Sequence, residues 1–401
     1  MWDRLLDQML THLIRRGALE ITLPDQPTRR YGDAGADAIR LFVEDPDFAR
    51  KAVLNPDLTV GEAYMDGRLT IGDDDLHGFL GLVLDNRGHG ASHWSLNANL
   101  LLRRLIRRVQ QNNPIGTAQS NVAHHYDLSA ALYDLFLDAD KQYSCAYFKT
   151  PDDSLEQAQA QKKAHIAAKL NLSPGMRVLD IGCGWGGMGL TLAKDYGVRV
   201  VGVTLSEEQH KIAVARAAEA GLSERVDFRL VDYREVNETF DRIVSVGMFE
   251  HVGVPHYREY FRHVHDKLNK SGVALIHTIG RAEPPGTTSP WVLKYIFPGG
   301  YVPAMSEAMK AIEKERLYTT DVEIWRLHYA DTLRHWYDRF VARQDDAREL
   351  YDDRFCRMWR YYLAASEMTF RKHRQVVFQF QLTKQQDAVP LTRDYIYLQR
   401  P

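Results

Sequence analysis

Residues 176–189, MRVLDIGCGWGGMG, decide the fold of this chain. The stretch opens with a short apolar run, Val178, Leu179 and Ile181, interrupted by Asp180. It turns glycine-rich at Gly182, Gly184, Gly186 and Gly187, and an apolar helical pattern follows at Leu190, Leu192 and Ala193. Strand, tight turn and helix N-terminus in that order make a holder for a nucleotide. Glycines let the backbone approach a ligand closely and take up positive φ. A glycine-rich turn alone is a weak signal, because dinucleotide sites also read G-x-G-x-x-G. Here the spacing is D-x-G-x-G-x-G, with Asp180 two residues before the first glycine.

Working outward, Ser154-x-x-Gln157 is a capping box that opens a helix to about Leu170. After strand 176–181 and its helix, apolar runs predict strands at 198–204, 226–230, 241–247 and 272–279, with helices at about 206–220 and 256–268. Strands alternating with helices mean an α/β domain with a mainly parallel sheet. Residues 281–330 break the alternation with Pro, Gly and aromatic residues and read as an inserted cap. Helical patterns return at 331–342 and 354–370. Two β-like runs, 375–382 and 394–398, are expected to finish the sheet as a hairpin-like pair.

Ahead of this domain, residues 1–22 read as an amphipathic helix and a short strand, with Leu5, Leu6, Met9, Leu10, Leu13 and Ile14 at helical spacing. The segment to about Asp85 suggests a small, mainly helical module with a few strands. Residues 94–111 form a further expected helix in which Arg103, Arg104, Arg107 and Arg108 adjoin leucines. That is either a solvated basic face or a surface drawn to anionic lipid headgroups. The polar run QNNPIGTAQSN, 111–121, is the best linker candidate. The expected organisation is an N-terminal domain at 1–110, a linker at 111–121 and a catalytic domain at 122–401 with a cap at about 281–330.

The 401 residues suffice for two domains, and Lys+Arg 51 against Asp+Glu 53 is too balanced for a general nucleic-acid binder. Three cysteines, Cys145, Cys183 and Cys356, without C-x-x-C pairing, argue against a disulfide framework or a zinc site. No apolar run reaches the roughly 18 residues of a membrane span. Cytoplasmic residence is the default expectation.

Ligands of such a sheet bind at the carboxyl ends of the strands. Strand one supplies Asp180 and the glycines there; strand two supplies Thr204, Leu205, Ser206 and Gln209. No acid stands at that second end for ribose hydroxyls, so Thr204 and Gln209 are candidates, although a capping box also explains Gln209. Asp232-Tyr233-Arg234 follows strand three, placed to meet an adenine edge and face. Strand four ends at Glu250-His251 and strand five at His277-Thr278-Ile279. Glu250 and His277 are the informative pair, titratable groups at the ends of adjacent-looking strands. His251 and His265 read as helix-side polar residues without a role. Before the sheet, Tyr143-Ser144 could close over a cofactor, and Cys145 beside them reads as a small buried apolar residue.

The glycine spacing resembles the signature of class I methyltransferases that use S-adenosylmethionine. The wider set is more specific. HHYDLS (124–129), QYSCAYF (142–148), VLDIGCGWGG (178–187), VVGVTLSEEQ (200–209), DRIVSVGMFEHVG (241–253), LIHTIG (275–280) and YIFPGG (295–300) resemble the cyclopropane fatty acid synthase family, which includes the mycolic acid cyclopropane synthases. GEAYMDGRL (61–69) is similar to the extra N-terminal domain of the phospholipid-acting members, suggesting a lipid-docking and dimerising role for 1–110. The resemblance implies a class I, Rossmann-like catalytic domain and two steps. A methyl passes from S-adenosylmethionine to a cis double bond of a membrane phospholipid acyl chain. Bicarbonate, acting as base, then removes a proton so that a cyclopropane ring closes. Carried over by motif, the base site is Cys145, Glu250, His277, Tyr329 and the backbone of Ile279. The cofactor contacts are Tyr143, Ser144, Asp180, Gly182, Cys183, Gly184, Thr204, Leu205, Gln209, Asp232 and Tyr233. Phe249, Tyr295, Phe297 and Trp336 could wall a cation. A homodimer held against the inner face of the membrane, without nucleic acid, completes the expectation.

One departure stands out. The family usually places a cysteine four residues before a helical phenylalanine; before Phe370 this chain has Ser366. Cys356, ten residues earlier, lies about 80° away on a helix and cannot substitute directly. A fatty-acid C-methyltransferase giving a methyl-branched or methylene product is the alternative within the fold. A small-molecule methyltransferase and a non-catalytic lipid-binding or cofactor-sensing protein are the readings outside it.

Overall fold

The computed structural model describes residues 1–90 and 129–398, which pack as two compact units. The expected helix at 94–111, the linker at 111–121 and all of the 124–129 motif except Ser129 lie outside the described residues. The first unit holds 1–90, 286–297 and 330–375; the second holds 129–285, 298–329 and 376–398. Pieces of the expected cap and of the late helices thus pack with the N-terminal residues.

In the first unit, strands β1 (Ala18–Thr22), β2 (Arg29–Gly32), β3 (Ala38–Val43) and β4 (Leu69–Ile71) form a sheet in the order β2-β1-β3-β4. The helix Trp2–Leu13 turns Leu6, Met9, Leu10 and Leu13 inward, as the helical spacing of its leucines predicts. The long helix Asp353–Lys372 starts at an Asp352 side chain that accepts from the Phe355 N–H and buries Trp359, Tyr362, Leu363 and Glu367. Glu367, fully buried, is satisfied by His77, Arg334 and Arg371.

The second unit is built on strands β5 (Arg177–Ile181), β6 (Arg199–Thr204), β7 (Val226–Leu230), β8 (Phe240–Val246), β9 (Leu268–Arg281), β10 (Tyr318–Trp325) and β11 (Gln375–Thr383). Among the described residues these give a seven-stranded sheet ordered β10-β11-β9-β8-β5-β6-β7. The pairs β5–β6, β5–β8, β6–β7 and β8–β9 are parallel, and β10–β11 is antiparallel. Val178, Leu179, Ile243, Val244, Ala274 and Leu275 are fully buried, as near-continuous apolar strands covered on both faces must be. The architecture is the expected Rossmann-like α/β class.

Two expectations are corrected. Residues 394–398 form a short helix, not a strand, with Ile396 buried. β11 already lies between β9 and β10, so it has no free edge to offer. Its partner is instead β10, inside the segment read as a cap. Asp321 and Glu323 broke the apolar alternation there, but both carboxylates reach the buried Lys169 ammonium.

Candidate active site

β5 ends at the middle of the sheet with β8 on one side and β6 on the other, so the crevice opens where the strand order reverses. Gly182, Gly184 and Gly186 take φ of 80°, 53° and 84°. They act differently. A Cβ on Gly184 would meet nothing within 4 Å, because it would stand in the cavity; a Cβ on Gly186 would lie 2.6 Å from the Phe228 ring. Gly184 keeps space for a ligand, and Gly186 lets the helix Gly187–Tyr196 close onto the sheet.

That cavity is lined by every residue expected to meet the cofactor: Tyr143 and Ser144, Asp180 with Gly182, Cys183 and Gly184, Thr204, Leu205 and Gln209, and Asp232 with Tyr233. The two readings of Gln209 can be separated. Ser206 Oγ accepts from the Gln209 N–H at 3.3 Å, but the Gln209 side chain accepts from the Thr204 hydroxyl at 3.1 Å instead of completing a capping box. Ser154 and Gln157, by contrast, form the full box. Asp232 is held by Arg234 in a two-pronged pair at 2.8 and 2.6 Å. His251, given no role from the sequence, also lines the cavity, and burial pushes its pKa down to about 4, so it is neutral there. Phe249 faces the core, with ring centroids 4.3 Å from Tyr257 and 5.1 Å from Tyr260, so it walls no site.

The sequence reading missed Lys162. The helix Leu155–Leu170 carries it, fully buried, on a face that also buries Gln159, His165 and Lys169. The Lys162 ammonium donates to Gln142 Oε1 at 2.6 Å and Ser144 Oγ at 2.8 Å. Gln159, one turn earlier, donates to the carbonyl of Ser144 at 2.9 Å. One helix face thus grips the loop that closes the cavity. Burial pushes the Lys162 pKa down to about 8 and the Asp180 pKa up to about 7, against the pull of Lys162. The legible signal was polar residues recurring at helical spacing on a buried face.

The residues expected to hold a base do not line that cavity. Glu250 lies in the turn Phe249–His251 after β8, and its Oε1 accepts from the Ile279 N–H at 2.6 Å. Among the described residues its Oε2 makes no hydrogen bond of ordinary geometry. The nearby Thr278 hydroxyl draws the pKa down slightly but donates to the Ile279 carbonyl at 3.0 Å. Burial dominates, and the Glu250 pKa rises to about 7. His277 pairs with Val246 across β9 and β8, is buried, and is held well below its ordinary pKa by burial and by Lys162 and Lys169. Cys145 is fully buried next to Ser144 and within electrostatic reach of Lys162. Tyr329 is half-buried and follows His328, whose Nδ1 accepts from the Phe148 N–H at 3.2 Å. Ser366 is half-buried on the helix Asp353–Lys372 of the first unit; in that unit's other segments Tyr295 and Phe297 are half-buried and Trp336 is fully buried.

Residues 115–380 match the sequence model of a family described as mycolic acid cyclopropane synthetase. The chain is 41% identical over 345 residues to the cyclopropane-fatty-acyl-phospholipid synthase of Escherichia coli K12, covering 85% of this chain and 86% of that protein. It is 34% identical over 403 residues to the tuberculostearic acid methyltransferase of Mycobacterium tuberculosis, covering 96% of this chain and 91% of that one. Among solved structures, mycolic acid cyclopropane synthase CmaA1 complexed with SAH and CTAB superimposes with a TM-score of 0.63 and 33% identity, covering 68% of this chain and 99% of that chain.

Proposed function

The chain belongs to the mycolic acid cyclopropane synthetase family and is an S-adenosylmethionine-dependent methyltransferase; from that premise we propose that it is a cyclopropane-fatty-acyl-phospholipid synthase. Its substrate is a cis double bond in a phospholipid acyl chain. The methyl adds to one alkene carbon, the other becomes a cation, and loss of a proton closes the ring, a net gain of CH2.

The residues present fit both groups this reaction requires. Gly184 opens into the cavity without obstruction, and Asp180 Oδ2 is buried without a hydrogen-bond partner, as suits a polar ligand above the glycine turn. S-adenosylmethionine, when bound, supplies the electrophilic methyl. Tyr143, Ser144, Thr204, Gln209, Asp232 and Tyr233 hold and orient it, with Lys162 fixing the 142–144 segment from below. Bicarbonate, when bound, supplies a compact base. Cys145, Glu250, His277, Ile279 and Tyr329 would hold it.

The observation that carries this reading is the Glu250 carboxyl. It is buried with one oxygen tied to Ile279 and the other, among the described residues, without a hydrogen bond of ordinary geometry, and its pKa is lifted into the neutral range. In its protonated form a carboxyl there donates to an anion instead of repelling it. His277, neutral for the same reason of burial, adds no charge that would quench the base. A cofactor site alone would need neither residue.

Mass spectrometry of phospholipids incubated with the protein and S-adenosylmethionine tests this. A gain of one CH2 with loss of the alkene is expected. A gain of CH2 with unsaturation retained would favour the C-methyltransferase reading, which Ser366 in place of the usual cysteine recommends. We further propose that residues 1–110 dock the enzyme on the membrane surface and pair two subunits. Among the described residues no helix is long and apolar enough to cross a membrane.

A further inference from the structure

We infer that Gln379 and Lys169 are positioning residues that lock His277 with its proton on Nε2, making the imidazole a hydrogen-bond donor through that nitrogen and not the base. The inference rests on the function proposed above and deepens it.

The argument is one of donors and acceptors. An ammonium has protons to give and no lone pair to receive. Lys169 Nζ lies 2.8 Å from the Gln379 side-chain amide, so the amide atom facing it must be the oxygen, Oε1. The other end of the same amide is then Nε2, which can only donate. It lies 3.0 Å from His277 Nδ1. Nδ1 must therefore accept, and a neutral imidazole that accepts at Nδ1 carries its proton at Nε2. His277 is neutral because it is buried and both Lys162 and Lys169 oppose a further positive charge.

The chain of bonds is anchored at its far end. Lys169 also donates to Glu323, which His165 Nε2 contacts at 2.7 Å. The Lys169 carbonyl accepts from Gln381 Nε2 at 2.6 Å. Lys169, Gln379 and Gln381 are at most 1% exposed, so water cannot substitute for any link. Glu323 comes from β10, Gln379 and Gln381 from β11, and His277 from β9, so adjacent strands together set one proton. A buried hydrogen-bonded network of this kind favours a single arrangement.

The test uses full-length protein labelled with 15N-histidine and saturated with S-adenosylhomocysteine, His277 being assigned through His277→Gln. The wild type should show His277 protonated at Nε2 and bare at Nδ1; a proton on Nδ1 overturns the inference whatever any variant does. Gln379→Glu keeps the shape and the acceptor for Lys169 but has no N–H to give. There His277 Nδ1 should become protonated. Turnover should fall about tenfold or more, with affinity for S-adenosylhomocysteine unchanged within about twofold. Nδ1 still bare in Gln379→Glu, or unchanged turnover, would overturn the positioning role. A wild type that forms no cyclopropane product would instead strike the proposed reaction and leave the tautomer result standing.

Discussion

Glu250→Gln should make the protein more stable toward alkaline pH than the wild type. Burial raises the Glu250 pKa from its ordinary 4.5 to about 7. The folded protein thus holds this proton more tightly than the unfolded chain does. The stability this lends is complete below about pH 4.5 and is lost as pH rises through about 7. At 1.36 kcal/mol per unit, the shift corresponds to about 3 kcal/mol. Glu250 keeps 8% of its surface exposed, and screening trims the figure to roughly 2–3 kcal/mol. Glutamine preserves the acceptor for the Ile279 N–H but cannot ionise. Its NH2 lacks an acceptor, a cost that is the same at every pH and cancels in the comparison. Unfolding by denaturant, without ligands, should show the variant gaining roughly 2–3 kcal/mol on the wild type between about pH 5 and about pH 8. A difference that stays flat within about 0.5 kcal/mol across that window would show that Glu250 ionises as an ordinary carboxyl, and the reasoning from its burial would fall.

Three further outcomes are expected. Gly184→Val should abolish calorimetric binding of S-adenosylhomocysteine while costing only about 1–3 kcal/mol of backbone strain; Gly186→Val should instead destabilise the fold, since its Cβ would strike Phe228. Lys162→Met removes the donor to Gln142 and Ser144 and the cation opposing Asp180; affinity for S-adenosylhomocysteine should drop about tenfold or more, and an unchanged titration would relegate Lys162 to packing. Vesicles rich in anionic lipid should bind the full chain in a salt-sensitive manner, and undiminished turnover on vesicles after deletion of residues 1–115 would remove the docking role from the N-terminal domain.

The parallel core was legible because it is written in long apolar runs between strong punctuation. β7 coincides with the expected 226–230, and the helix Leu155–Leu170 starts at the capping box that announces it. Glu250 and His277 were legible as polar residues among apolar ones near the carboxyl ends of β8 and β9, Glu250 falling in the turn after β8 and His277 within β9. β10 was not, because a strand at the sheet's edge that turns acids toward a buried lysine has no apolar alternation to read. The run 394–398 failed for a different reason: five residues are too few to tell a period of two from one of 3.6. Lys162 was hidden because a lysine in a helix reads as solvated until the packing of that face is known. Phe249 misled in the opposite sense, since an aromatic beside a site residue is as readily core as wall.

The late strand pair bears on how the enzyme is made. The residues lining the cofactor cavity lie between 141 and 256, whereas Gln379 is separated from His277 by 102 residues and from Lys169 by 210. Contacts so distant along the chain are slow to form. A nascent polypeptide acquires every wall of the cofactor cavity well before β11 emerges from the ribosome. Cofactor binding is therefore no certificate of competence. On the role proposed for His277, a preparation in which β10 and β11 have failed to dock should still retain S-adenosylhomocysteine while that ring turns freely, and the yield of active enzyme would then be better judged by the state of that one ring than by how much cofactor is held.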